Sequence, residues 1–116
     1  MNIMIVDDNK KMRSMIKSML VKTAHEFIEC SDGSEVVAAY GRHHPDWILM
    51  DVVMQDMDGI AATQAVTQSF PEAKVIIVTQ YDDADLLAKA KHAGAVEYVL
   101  KENLADIETI IMGQRN

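Results

Sequence analysis

Hydrophobic residues fall along this chain in two alternating patterns. Ile3-Met4-Ile5-Val6 is a short unbroken apolar run that stops at Asp7-Asp8-Asn9. Met12, Met15, Ile16, Met19 and Leu20 then follow the i, i+3, i+4, i+7, i+8 spacing of one buried helix face, with Asp8 or Asn9 as its N-cap. Glu26 to Cys30 is short and mixed and predicts a strand near a sheet edge, followed by the turn residues Ser31-Asp32-Gly33-Ser34. Val36, Val37 and Tyr40 predict a helix stopped by Gly41 and finally by Pro45. Trp47 to Met50 is a second buried run, ending in Asp51, and the next loop carries Met54, Met57, Asp58 and Gly59. A helix over Ile60 to Ser69 closes at Phe70-Pro71. A third run, Val75 to Val78, ends in Thr79. Leu86 to Ala93 predicts a helix ended by Gly94, Val96 to Leu100 a last strand ending in Lys101, and Leu104 to Met112 a last helix before Gly113.

This is a strand followed by a helix, five times over. Strands of continuous Val/Ile/Leu character separated by helices indicate a parallel sheet covered on both faces, with right-handed crossovers. The fold class is therefore α/β: a doubly wound (βα)5 parallel sheet of five strands with helices on both faces. No linker, repeat or low-complexity tract divides the chain, so residues 1–116 are expected to form a single domain.

Parallel α/β sheets bind ligands beyond the C-terminal ends of their strands. Those ends carry Asp7 and Asp8, Asp51, Thr79 and Lys101. Three carboxylates brought together repel one another, and without compensation one would be driven to its protonated form. A hard divalent cation, magnesium first and manganese second, is the natural compensation for an oxygen-rich set. A site with such an ion, an ammonium and a hydroxyl is equipped to hold a phosphoryl group. A carboxylate in that setting can act as a nucleophile and become an aspartyl phosphate. Asp51, on the central strand, is the candidate.

Composition narrows the alternatives. The chain has 116 residues, a formal charge of −7 from 18 acids and 11 bases, and a single cysteine. That balance argues against a nucleic-acid-binding face and a polybasic membrane anchor. Cys30, alone, excludes a disulfide framework, suits a reducing compartment and is most simply a small buried hydrophobe. No apolar run approaches the ~20 residues of a membrane span. The N-terminus does not read as a signal peptide, so a cytoplasmic location is expected. The charge is unevenly spread, because residues 9–24 hold Lys10, Lys11, Arg13, Lys17 and Lys22 and no acid. That helix offers either a solvated basic face or a docking surface beside the acidic crevice.

In order and spacing, these residues resemble the receiver domain of two-component response regulators over essentially the whole chain. The matching features are Asp7-Asp8, Asp51, Met54 with Met57-Asp58-Gly59, Thr79, Gly94-Ala95, and Tyr98 three residues before Lys101. The resemblance implies a flavodoxin-like strand order 2-1-3-4-5. It implies that Asp51 accepts a phosphoryl group from a phosphohistidine of a sensor kinase or phosphotransfer protein. It implies that Asp8, Asp51 and the backbone carbonyl of Val53 bind magnesium, with Asp7 acting directly or through water. No organic cofactor is implied. Lys101 would contact phosphoryl oxygens, Thr79 would move toward them, and Tyr98 would rotate inward. The surface of the fourth helix, fifth strand and fifth helix would then change its preference for partners, including a second copy of the chain. The implied activity is that of a phosphoacceptor, with self-catalysed phosphotransfer and autodephosphorylation rather than turnover as a free-standing enzyme.

Three positions depart from the family pattern. Gln55 replaces a loop proline, Glu102 stands where a cis proline often follows the lysine, and Gln80 replaces a small residue after the threonine. Leu100-Lys101-Glu102, which lacks that proline, and Tyr81-Asp82-Asp83 are similar to the subset of the family that carries a helix-turn-helix output domain, while the longer amide of Gln80 would hinder entry of donors or of attacking water. The chain itself ends at Gln114-Arg115-Asn116, leaving no room for such a module, so it is either a stand-alone regulator or the receiver of a longer transcription factor.

Rival readings fit less well. A flavin- or nucleotide-binding protein needs a Gly/Ser/Thr-rich loop after the first strand, where this chain has Asp7-Asp8-Asn9-Lys10. A haloacid-dehalogenase-type phosphatase wants a second acid two residues after the nucleophile, and that place holds Val53. A degenerate receiver that signals without phosphorylation would lack an acid, the threonine or the lysine. Simpler explanations suffice elsewhere: helix capping for Asp82, Asp83 and Asp85, core filling for Met12, Met15 and Met19, strand-start packing for Trp47, and no shared metal for His43-His44.

Overall fold

The apolar runs lie side by side as one parallel sheet in the computed structural model, which describes residues 1–113. The strands are β1 (Asn2–Val6), β2 (Glu26–Cys30), β3 (Trp47–Met50), β4 (Val75–Thr79) and β5 (Glu97–Leu100). Their order is β2-β1-β3-β4-β5 and every pairing is parallel. The helices are α1 (Lys10–Leu20), α2 (Val36–His43), α3 (Gly59–Ser69), α4 (Ala84–Ala93) and α5 (Ala105–Gly113), with single 3-10 turns at Gly33–Glu35 and Lys101–Asn103.

The unbroken apolar runs follow from burial on two faces. Side chains alternate across a strand, so Met4, Val6, Ile48, Met50, Val75 and Ile77 join one core under α2, α3 and α4 with Val36, Tyr40, Ala62, Val66 and Ala90. Ile3, Ile5, Trp47, Leu49, Ile76 and Val78 join the other, under α1 and α5, with Ile16, Leu20, Ile107 and Ile111. β3 and β4 are buried along their full length, which fixes the register of the central strands and the depth at which their ends stop. Trp47 is buried at its strand start, with the Lys74 ammonium 4.4 Å above the ring. Cys30 is buried, and desolvation pushes its thiol up to about 11, so it behaves as a small hydrophobe.

Several details correct the sequence expectations. The buried face of α1 is narrower than its spacing suggested: Ile16 and Leu20 are buried, while Met15 and Met19 are 51% and 40% exposed. Each lies one residue, about 100° of helix rotation, from a core position, and that rotation carries it past the contact with the sheet. Asn9, not Asp8, is the N-cap, its side chain accepting from the Met12 N–H at 3.1 Å. Gly41 does not stop α2. The helix continues to His43 and ends on His44 at φ 44°, and Gly41 faces Phe70, whose ring edge would make an ordinary contact, 3.4 Å, with an added Cβ. His44 packs edge-on against Tyr40 and Phe70. α4 starts at Ala84, two residues early, because Asp83 caps it by accepting from the Asp85 and Leu86 amides. β5 starts at Glu97 and α5 at Ala105, a 3-10 turn filling the gap after Lys101. Every peptide bond among the described residues is trans, that before Glu102 included. None of the described helices is long and apolar enough to cross a membrane. Gln114-Arg115-Asn116 lie outside the described residues.

Candidate functional site

Sheet hydrogen bonding continues one residue beyond the strands and sets the acids side by side. The Asp7 N–H donates to the Cys30 carbonyl at 3.1 Å, and the Asp51 N–H to the Val6 carbonyl at 2.9 Å. Asp7 and Asp51 are both buried, and Asp8 is exposed at the rim. One carboxylate oxygen from each lies within 4.8 Å of the others, the only such acidic, histidine or cysteine cluster among the described residues.

Lys101 crosses the end of β4 to reach this group. Its Nζ lies 3.2 Å from Asp7 Oδ2 and 3.2 Å from Asp51 Oδ1. Burial and the neighbouring Asp7 charge raise the Asp51 pKa, and Lys101 only partly offsets them. Burial works against the Lys101 charge, yet the two carboxylates outweigh it and its pKa is raised. One ammonium therefore does not satisfy three carboxylates. Asp7, Asp8, Asn9, Asp51, Val53, Gln80, Tyr81 and Lys101 line an open crevice of about 240 Å³ here.

Thr79 and Tyr98 stand beside the crevice rather than in it. Thr79 is buried, and its hydroxyl oxygen accepts from the Tyr81 N–H at 3.3 Å. The Tyr98 hydroxyl donates to the Tyr81 carbonyl at 2.6 Å. The two residues are thus linked through the backbone of Tyr81, a connection that no spacing rule would find.

Other supports also escaped the sequence reading. Arg13, counted there only as part of a basic face, donates from Nη1 to the Asp7 carbonyl at 2.6 Å and from Nε to Glu29 at 3.0 Å. Lys17 also pairs with Glu29, at 3.3 Å, so two of the five basic residues turn toward β2. Gly59 opens α3 directly against the phosphoacceptor candidate: its N–H donates to the Val52 carbonyl at 2.8 Å, and a Cβ here would run into the Asp51 carbonyl oxygen. Asp32, read only as a turn former, accepts amides from the loop after β3. A glycine beside a predicted ligand was visible as a signal, whereas nothing local marks Arg13 or Asp32.

Comparison with known proteins places the fold in a family. The family model for the response regulator receiver domain matches residues 3–112. The chain is 37% identical over 105 residues to the chemotaxis protein CheY of Bacillus subtilis, covering 90% of this chain and 88% of that one. It is also 37% identical over 105 residues to the transcriptional regulatory protein LiaR of the same organism, covering 89% of this chain and 50% of LiaR, so it spans half of that longer relative. In a crystal structure of a CheX-CheY-BeF3-Mg complex from Borrelia burgdorferi, a chain superimposes with a TM-score of 0.88 over 99% of this chain and 89% of its own, at 22% identity. The chain belongs to the response regulator receiver domain family. Two-component signalling is its functional class. Within it are both chemotaxis proteins of receiver size and DNA-binding regulators, and the flavin-binding, phosphatase and phosphorylation-independent readings are not favoured.

Proposed function

We propose that residues 1–116 act as one receiver domain whose Asp51 carboxylate takes a phosphoryl group from the phosphohistidine of a sensor kinase or phosphotransfer protein. The carrying observation is the convergence of Asp7, Asp8 and Asp51 within 4.8 Å around a single lysine.

The donor set fits a hard divalent cation. It is all oxygen, it carries more negative charge than Lys101 offsets, and it opens to solvent on the Asp8 side. Asp8, Asp51 and the Val53 carbonyl would hold magnesium, or manganese in its place, with Asp7 direct or through water. The ion, when bound, neutralises charge on the phosphoryl oxygens.

The protein's own groups supply the rest. An Asp51 carboxylate oxygen forms a P–O bond as the donor's P–N bond breaks, and the electron pair leaves on the imidazole nitrogen, which takes up a proton. Lys101 is already within ion-pair distance of Asp51 and needs only a short shift to contact a phosphoryl oxygen. The Thr79 hydroxyl keeps its own proton free to donate, because in its present bond it accepts. Movement of Thr79 would disturb the Tyr81 backbone and loosen Tyr98, carrying the event to the α4-β5-α5 surface. Gln80 lines the crevice and would slow entry of donors and of hydrolytic water. Cytoplasmic signalling, a homodimer through α4-β5-α5, and service to either a stand-alone or a DNA-binding output belong to the same proposal.

The test is incubation with acetyl phosphate and magnesium, followed by intact-mass measurement. One added phosphoryl group is expected, lost on chelation and absent in Asp51→Asn. Label that persists in Asp51→Asn, or that ignores chelation, refutes the assignment.

A further inference from the structure

We propose that Asp32 is a positioning residue for the site, holding the loop between β3 and α3 in the shape that lets the Val53 carbonyl join Asp51 and Asp8 around a cation. This rests on the metal-dependent reading above.

Residues 52–58, beyond the last sheet hydrogen bond at Asp51, lie outside regular secondary structure, so no strand ladder fixes them. Asp32 does so from 24 and 25 positions away. Its Oδ1 accepts from the Asp56 N–H at 3.0 Å, and its Oδ2 from the Met57 N–H at 3.2 Å. The same Oδ2 accepts from the Ser34 N–H at 2.9 Å, which anchors the carboxylate to its own turn. Asp32 is buried, with 8% of its surface exposed. These amide bonds, Ser34 first, hold its carboxyl down at about 2, so it remains an ionised, acceptor-only clamp at neutral pH.

Gly33 supplies a second point of contact. A Cβ there would strike the Met57 carbonyl oxygen and lie 3.0 Å from Ala62 Cβ. The turn thus grips the loop from its N–H side through Asp32 and abuts its C=O side at Gly33. At the far end the Gly59 N–H closes on the Val52 carbonyl at 2.8 Å. Val53 lies between these two fixed points. Gln55, in the middle of the loop, has free φ, so restraint must come from outside the segment. Groups that orient ligands from one shell out typically change metal affinity when lost.

The experiment measures Mg2+ binding to the full chain by calorimetry without phosphodonor. Asp32→Ala, Asp32→Asn and a core control, Ile107→Val on the opposite face, are compared with wild type. Amide exchange at Asp56 and Met57 is followed in parallel. Asp32→Ala is expected to bind Mg2+ ~10-fold more weakly, in line with the usual cost of removing an outer-shell partner. Asp32→Asn keeps one acceptor oxygen and is expected to fall between. Both variants should expose the two amides to exchange, while Ile107→Val, though less stable, should bind Mg2+ as wild type does. A folded Asp32→Ala with wild-type Mg2+ affinity overturns the proposal. If that variant does not fold, wild-type affinity in Asp32→Asn overturns it equally. Failure of wild type itself to bind Mg2+ would instead strike the metal-dependent reading on which it rests.

Discussion

The two loops that build the crevice are held in opposite ways. The turn after β1 is secured largely from its own vicinity: Asn9 donates to Asp7 and caps α1, and Arg13, six residues on, binds the Asp7 carbonyl. The loop after β3 is secured from far along the chain, by Asp32 at one end and by the contact of Gly59 with Asp51 at the other. The first loop carries most of its own restraints, with Cys30 and Lys101 adding to them from other strands. The second acquires its shape only when the β2-α2 turn docks, which makes its precision a tertiary property.

The strongest way to break the distant arrangement is Gly59→Ala. The added methyl group meets backbone, which cannot swing aside, so a loss of ~3 kcal/mol or more is expected in urea unfolding, with phosphoryl uptake lost as well. Wild-type stability in that variant would show that the approach of α3 to Asp51 is loose. Arg13→Ala tests the local arrangement more gently. It removes a charge-assisted bond to the Asp7 carbonyl, for an expected ~1.5 kcal/mol, while the partly exposed pair with Glu29 adds little. Labelling at saturating magnesium should survive it, because Asn9 and Lys101 still hold the Asp7 carboxylate.

The smallest effect is one of pH. Asp32 has a folded pKa of about 2, below the ~3.9 of an unfolded aspartate. A depressed pKa means that the ionised group stabilises the fold above the unfolded value and loses that contribution as pH falls toward the folded one. The stability difference between wild type and Asp32→Asn should therefore be constant near neutrality and shrink between about pH 4 and pH 2. A difference that stays level across that window would show that the charge on Asp32 is not what grips the loop.

The same contrast explains what could be read from the sequence. Runs such as Ile3–Val6 and Val75–Val78 announced buried parallel strands because burial on two faces needs apolar residues at consecutive positions. Strand-end acids, Thr79 and Lys101 could be listed from topology alone, and the structure sets Asp7, Asp8, Asp51 and Lys101 together. Met15 and Met19 misled because a methionine adjacent to a core position satisfies the same spacing rule as one within it. Gly41 misled because a glycine with helical dihedrals does not by itself end a helix, and α2 runs on to His43. Asp32, Arg13 and the Tyr81 backbone were illegible for a common reason: each contact is made with or by a main-chain group, and main-chain groups leave no letter in the sequence.

An open five-stranded sheet has two raw margins, here β2 and β5. Each margin is short, and each presents a glutamate to solvent: Glu26 on one, Glu97 on the other. Strands so charged are poor templates for strand addition, since a second sheet docking there would set like charges in register. Association through the β5 side would then have to be written in side chains and helix surfaces, and can be released without unzipping a backbone ladder.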